Sequence, residues 1–496
     1  MGKGVQETAE GRKGDKRPRG AAGQAARPRR QGRSPKESEP GINHADLLKA
    51  IGYYFPKFNG FLASLEDFRR KDRIYYPLHL LLVLAIVERI CGNRSARQHD
   101  RDKREGHFAD NILRLCGCQG LVGLLPHSDT IKYFLEKCAV SVLCGIPARM
   151  VSHLIRTKRL GGMYSAMAPV RGRPSLRVTV DGVHYATSLR PLPHSTHRTR
   201  RDGVTEYMLV ALQATLVSPS GLRLPLMTEF IENPDGEYDK QDCELKAAKR
   251  LLLRLKQEFP HLRVTVLMDG LYLCEEIIKI CKESGWNYSL TVTDRAPAFK
   301  AKAEEALAKS GRRARGKDPV TGFSRQVEWC NGVMHAFGKT TVRLNVIRMK
   351  SVNSKGDDVT LFYATNIFLH AKEDMALRVL DEVCRARWQI EESFDEQKHH
   401  GLWLEAAFGT RDNAGQNFYI IVQIASIIRT LMLHSNLFRR LQRHCNPGLA
   451  EDVFRKPALD WYVTVANFVE RLKQSMICCR LSGLDISGWR LECDTA

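Results

Sequence analysis

Apolar and polar positions divide the chain into stretches of different period. From residue 43 to about 173 the apolar positions recur every three or four, as in Leu47, Leu48, Ile51 and Phe55, then 78–87, then 113–125 around glycines. Ser128 and Asp129 suit the start of a helix over 129–144, with Ile131, Phe134, Leu135 and Cys138 on one face. No strand pattern interrupts this region, which predicts an all-helical N-terminal domain. At Leu176 the period becomes that of a strand. Residues 177–182 end on Asp181-Gly182, and 206–217 and 222–231 read as a hairpin across the turn 218–221. A helix follows over 241–259, then a buried strand from 263 that ends on Asp269-Gly270, a helix over 272–284 and a strand over 286–292.

Residues 296–318 are basic and poor in apolar side chains, and carry Lys300, Lys302, Lys309, Arg312, Arg313, Arg315 and Lys317. Strands are predicted over 323–329, 341–349 and 359–365, so 296–365 reads as a basic, β-rich insertion. Helical patterning returns over 373–400 and 417–433 and continues to the end. The element order predicts an α/β fold, a mixed sheet flanked by helices that matches the ribonuclease-H-like arrangement. The domains expected are a disordered basic tail (1–42), the helical N-terminal domain (43–174) as a candidate for DNA binding, a catalytic domain in two segments (175–295 and 366–435), the insertion (296–365) and a helical C-terminal region (436–496).

Charge narrows the function. The chain has 77 Lys and Arg against 55 Asp and Glu, a formal net charge of +22. That surplus points to a polyanionic partner, nucleic acid or an anionic membrane surface. The longest apolar run, 75–87, is too short to span a bilayer, and 419–433 is interrupted by Gln423 and Arg429. The first twenty residues lack an apolar segment, so a cytoplasmic location is expected and no membrane partner. The basic tail reads either as an arm that touches phosphates or as a solubilising leader. The 14 cysteines include no Cys-x-x-Cys pair and are expected to be reduced thiols; no zinc site is expected.

In open sheets chemistry collects at the carboxyl ends of strands, where both Asp181 and Asp269 are expected. A site for a hard divalent cation needs a further carboxylate. The helix over 373–400 offers one: at 100° per residue, Cys384, Arg387, Glu391 and Lys398 fall within roughly 60° of one another. Taken alone, this stripe also reads as an ordinary i,i+4 salt bridge on a solvated face. Glu392 points roughly 100° away from Glu391.

Taken together, Asp181, Asp269, the β insertion and then Arg387-x3-Glu391-x6-Lys398 resemble the DDE transposases of bacterial insertion sequences. Within these the chain is most similar to the group (insertion-sequence family four) marked by Tyr-x2-Arg-x3-Glu-x6-Lys. Residues 365–367 and the Arg387-Trp388-x-Ile390-Glu391 core share the likeness, which covers about 175–435. Cys384 stands where that group has Tyr, and a thiol is a poor replacement for a phosphate-binding hydroxyl.

The resemblance implies that Asp181, Asp269 and Glu391 are catalytic and hold two Mg²⁺ or Mn²⁺ ions. It implies that Arg387 and Lys398 grip DNA phosphates, with Cys384 at the family's tyrosine position, and that Trp329 stacks on an unpaired base; the other reading of Trp329 is a core residue of the insertion. Arg312, Arg313 and Arg315, with the clusters Arg198/Arg200/Arg201 and Arg439/Arg440/Arg443, are candidate contacts to the DNA backbone. The implied function is cut-and-paste transposition: binding the terminal repeats of its own element, metal-dependent cleavage, and joining of 3′ ends to target DNA. A homodimer on paired ends of double-stranded DNA, at the bacterial nucleoid, goes with it. The alternatives are a nuclease of the same fold without strand transfer, or an inactive DNA-binding relative.

Overall fold

The structure is a computed structural model. It describes residues 43–121, 125–233, 242–353, 355–406, 409–446, 448, 450, 452 and 465–481. The basic tail 1–42 and the end of the chain beyond 481 lie outside them.

Eleven strands form one sheet: β1 (Tyr164–Val170), β2 (Arg173–Ser188), β3 (Thr196–Thr199), β4 (Thr205–Val217), β5 (Arg223–Ile231), β6 (Val264–Met268), β7 (Asn287–Thr291), β8 (Arg313–Lys317), β9 (Ser324–Phe337), β10 (Thr340–Val352) and β11 (Asp358–Thr365). Their order is β3-β4-β2-β6-β7-β11-β10-β9-β8, with β1 added on β2 and β5 on β4. Among the described residues only β2–β6 and β6–β7 pair in parallel. Parallel neighbours need a crossover, and the helices Glu244–Glu258 and Glu275–Ser284 lie in the connections that lead into β6 and β7. The fold is therefore mixed α/β, with a mostly helical region ahead of a large mixed sheet.

Several elements depart from the sequence expectation. Tyr164–Val170 is a strand, inside the stretch expected to be helical, and pairs antiparallel with β2 across a turn in which Arg171 and Gly172 both have positive φ. The stretch 129–144 is not one helix: Ser128–Lys137 is capped by His127 and is followed by a separate turn of helix, Val140–Cys144. Within 296–318 the helix Pro297–Ser310 precedes β8; it buries Phe299, Ala303 and Leu307, a spacing of four that the abundance of lysine masked. The strands of 296–365 do not stand apart from the main sheet, because β11 pairs with β7 and extends it.

The expected helix over 373–400 is broken. Glu373–Glu382 ends at Val383, a short 3-10 turn follows over Cys384–Arg387, and Trp388–His399 resumes the α-helix. The break lies ahead of Cys384 and Arg387, which share the 3-10 turn, whereas Glu391 and Lys398 stand on the α-helix that follows.

Ala414–Leu433 is the spine of the core and packs against Leu78–Ile90. It is long and apolar enough to cross a membrane, yet nearly all of it lies inside the protein. Its polar side chains find partners there: Gln423 donates to Gln397 at 2.9 Å and Arg429 pairs with Glu396 at 2.8 Å. The described cysteines are free thiols, and Cys91, Cys116, Cys138, Cys281, Cys330 and Cys384 are buried.

Candidate active site at the ends of the parallel strands

The parallel ladder between β2 and β6 sets the site. It runs from Leu176 opposite Val264 to Thr179 opposite Leu267. The same register carried two residues further puts Asp181 beside Asp269. Asp269 follows the last residue of β6, as expected. Asp181 does not end its strand: β2 continues to Ser188 because β4 pairs with it throughout, Asp181 lying opposite Gln213.

Each carboxylate is held from its own backbone. Asp181 accepts the N–H of Gly182 at 2.9 Å. Asp269 caps the short turn Gly270–Tyr272 by accepting the N–H of Leu271 at 2.8 Å. Gly270 is required by a close approach, since a methyl group there would run into the Thr293 side chain.

The third carboxylate arrives from the other end of the sequence. The 3-10 turn Cys384–Arg387 packs over β2 and β6, and Trp388–His399 crosses β2, β4 and β5 with Ile390 and Phe394 buried against the protein. Arg387 then stands between two acids, 3.2 Å from Asp181 and 2.6 Å from Glu391. Burial raises the carboxyl of Asp181 to about 6; Arg387 and the Gly182 N–H oppose the shift, and Asp269 and Glu391 add to it. Glu392 turns away and pairs with Arg223 on the surface.

Two groups at this place have no counterpart in the sequence expectation. Glu244, the first residue of its helix, lies against Gly182. Tyr272 is fully buried, and its hydroxyl has no hydrogen-bond partner. Four carboxylates thus belong to this region: Asp181 and Glu391 pair with Arg387, Asp269 acts on Asp181 and Glu244 as a like charge, and Arg295 acts on Glu244. Nothing in the periodicity marks Glu244 or Tyr272, because each reaches the site through long-range packing.

The other expected site residues divide. Lys398 pairs with Glu405 at 2.8 Å and lines a cavity of about 520 Å³ with His184, His194 and Asp412. Arg312, Arg313 and Arg315 are exposed at the β8 edge of the sheet, and among the described residues no carboxylate pairs with them. Arg198 and Arg200 are held by Glu206, and Arg200 also by Asp202.

Cys384 is buried, and burial pushes its thiol up to about 12. It is not presented to DNA. Trp329 is buried too, its indole N–H donating to the His370 carbonyl at 3.0 Å, so its ring is a core element and offers no face to a base. Among the described residues the exposed indole is that of Trp388, next to Arg387 and half accessible.

Carboxylate oxygens suit a hard divalent cation. Among the described residues, no three His, Cys, Asp or Glu side chains converge closely enough to hold one ion as they stand. Glu391 is engaged by Arg387, so completing such a site requires it to exchange that partner. The chemistry of the donors fits a cation: four acids outnumber Arg387 and Arg295, and the buried Tyr272 hydroxyl is left unsatisfied.

One acid after β6 and another within β2 stand beside the parallel ladder of an α/β sheet, in the region of such sheets where ligand sites collect. Residues 238–428 match the family model described as a transposase DDE domain. The match covers less than half of the chain, takes in Asp269 and Glu391, and begins beyond Asp181. It supports a DDE transposase domain in this stretch, and DNA as the partner. No curated protein matches the chain significantly.

Proposed function

We propose that this protein is a cut-and-paste DNA transposase with a ribonuclease-H-like catalytic core. It binds the terminal repeats of its own element as a homodimer on paired ends, cleaves there, and joins the 3′ ends to target DNA in the bacterial cytoplasm. The observation that carries this reading is the parallel ladder of β2 and β6, whose continued register brings Asp181 near Asp269, with Glu391 joined to Asp181 through Arg387.

Asp181, Asp269 and Glu391 hold the catalytic ions. Two Mg²⁺ or Mn²⁺, when bound, supply activation of the attacking water or 3′-hydroxyl and stabilisation of the departing oxygen. Arg387 places a planar guanidinium beside the carboxylates, suited to bidentate contact with a phosphate. Lys398 adds a cation about two turns of helix beyond Glu391, and the exposed Arg312, Arg313 and Arg315 contact backbone phosphates without reading sequence.

The test is to incubate the protein and its Glu391→Ala variant with Mg²⁺ or Mn²⁺ and the DNA that flanks its own gene, and to sequence every new 3′ end and junction. Precise ends with joined products, absent in the variant, are expected. Scattered nicks without joining would reassign the protein as a nuclease. DNA binding without cleavage in either metal would reassign it as an inactive DNA-binding relative.

A further inference from the structure

We propose that Glu244 is a fourth carboxylate of this site and acts, with Asp181 and Asp269, on the divalent cation bound there. The inference rests on the metal-dependent reading above and concerns a residue that the Asp-Asp-Glu triad does not include.

The first observation is a matched pair in the backbone. Glu244 opens the helix Glu244–Glu258, which packs on β4 and β5. Its carboxylate lies directly over Gly182, the residue after Asp181. A methyl group at 182 would overlap the Glu244 carboxylate oxygen, closer than real contacts allow. Gly182 has no positive φ to account for it. Its missing side chain is the space that the carboxylate fills.

The second observation is charge. Glu244 is half-buried, faces Asp269 as a like charge, and has Arg295 as its attractive neighbour. Among the described residues no Lys or Arg is within ion-pair distance of it. An acid in the first turn of a helix is ordinarily explained by the favourable end of the helix dipole. That explains a Glu at 244. It does not explain why the carboxylate turns toward two other acids.

The third observation points to something bound between them. Tyr272 is fully buried and its hydroxyl has no hydrogen-bond partner. The charged groups facing that hydroxyl are Glu244, Asp181, Asp269 and Arg387. Buried polar groups are almost always paired. A hydroxyl left free among three carboxylates marks a position for water or for an oxygen of a bound group. Glu244 then either coordinates the cation or orients its water, a contribution of the kind that tunes metal affinity from outside the triad.

The experiment is a titration of the full chain with Mn²⁺ alone, following the electron paramagnetic resonance signal of the free ion. The unaltered protein is compared with Glu244→Gln, Asp269→Asn and, as a surface control, Glu276→Gln. Glu244→Gln is expected to weaken Mn²⁺ binding about 10- to 100-fold. Its circular dichroism and melting midpoint should stay as they were, and Glu276→Gln should bind like the unaltered protein. Wild-type binding in Glu244→Gln with loss in Asp269→Asn would overturn the role of Glu244 and leave the metal site standing. No saturable binding by the unaltered protein would overturn both. If Glu244→Gln fails to fold, Gly182→Ala decides: the added methyl displaces the carboxylate without removing a donor, and unchanged Mn²⁺ affinity would reject the proposal.

Discussion

Two groups of charged residues near the helix break at Val383 are built on opposite plans. In one group, Arg325 grips Asp381 with both terminal nitrogens, at 2.5 and 2.8 Å, and Arg385 pairs with Asp318 at 2.6 Å. Two cations meet two carboxylates. Asp318 is almost wholly buried; burial would raise its carboxyl, but the hydrogen bond from Arg385 holds it below the usual range. In the other group Arg387 pairs with Asp181 and Glu391, while Glu244 has Asp269 as a like charge and Arg295 as its attractive neighbour. In a chain with a net charge of +22, this is a local surplus of acid. The balanced group ties the strands of 296–365 to the helices that follow. The unbalanced one holds like charges together at a cost in folding free energy, an electrostatic perturbation of the kind that clusters at functional sites.

The sharpest way to separate the two is to unbalance the first. Asp381→Ala leaves the buried Arg325 guanidinium without its carboxylate and should cost about 3–5 kcal/mol. Chemical denaturation measures it, and Mn²⁺ binding by the folded fraction should not change. If stability holds and Mn²⁺ affinity falls, the two groups are not independent.

A smaller effect is expected from pH in the absence of divalent cations. The folded carboxyl of Asp181 titrates at about 6, against an ordinary value of 3.8. Its contribution favours the folded state fully below the ordinary value and is lost as pH rises through about 6, by about 3 kcal/mol at most. Asp181→Asn should remove this dependence, and Mn²⁺ should restore stability above pH 6. Denaturation curves at pH 4.5 and 7 with and without the ion would show it. Equal losses in the variant and the parent would assign the dependence to other groups.

The smallest effect concerns cations with no carboxylate at all. Arg315→Ala should reduce the slope of log affinity for duplex DNA against log salt by roughly 1, uniformly across sequences. An unchanged slope would place β8 outside the DNA interface.

Much of the sheet was legible because alternation and period are local properties. The strands around 177–182, 206–217 and 263–268 lie where expected, and Asp269 ends its strand. Asp181 was misplaced at a strand end because the Asp-Gly pair looks like a turn, whereas the ladder with β4 carries the strand on to Ser188. The helix Pro297–Ser310 was missed because its buried face holds only three apolar positions among lysines. Of the two readings of Trp329, the core residue is the one the structure bears out, while Trp388, for which the local pattern gives no expectation, faces solvent.

By itself the sequence determined the period of its elements, the acids that follow or lie within strands, the spacing Arg387-x3-Glu391 and the excess of basic charge. These depend on residues within a few positions of one another. Only the tertiary structure decided which acids meet. Asp181 reaches Asp269 through a ladder between strands 88 residues apart, and Arg387 reaches Asp181 across 206 residues. The close approach of Glu244 to Gly182 and the enclosure of the Tyr272 hydroxyl are decided in the same way. Such contacts follow from strand register and helix packing, in which each residue's neighbours are set by the whole fold and not by its place in the chain.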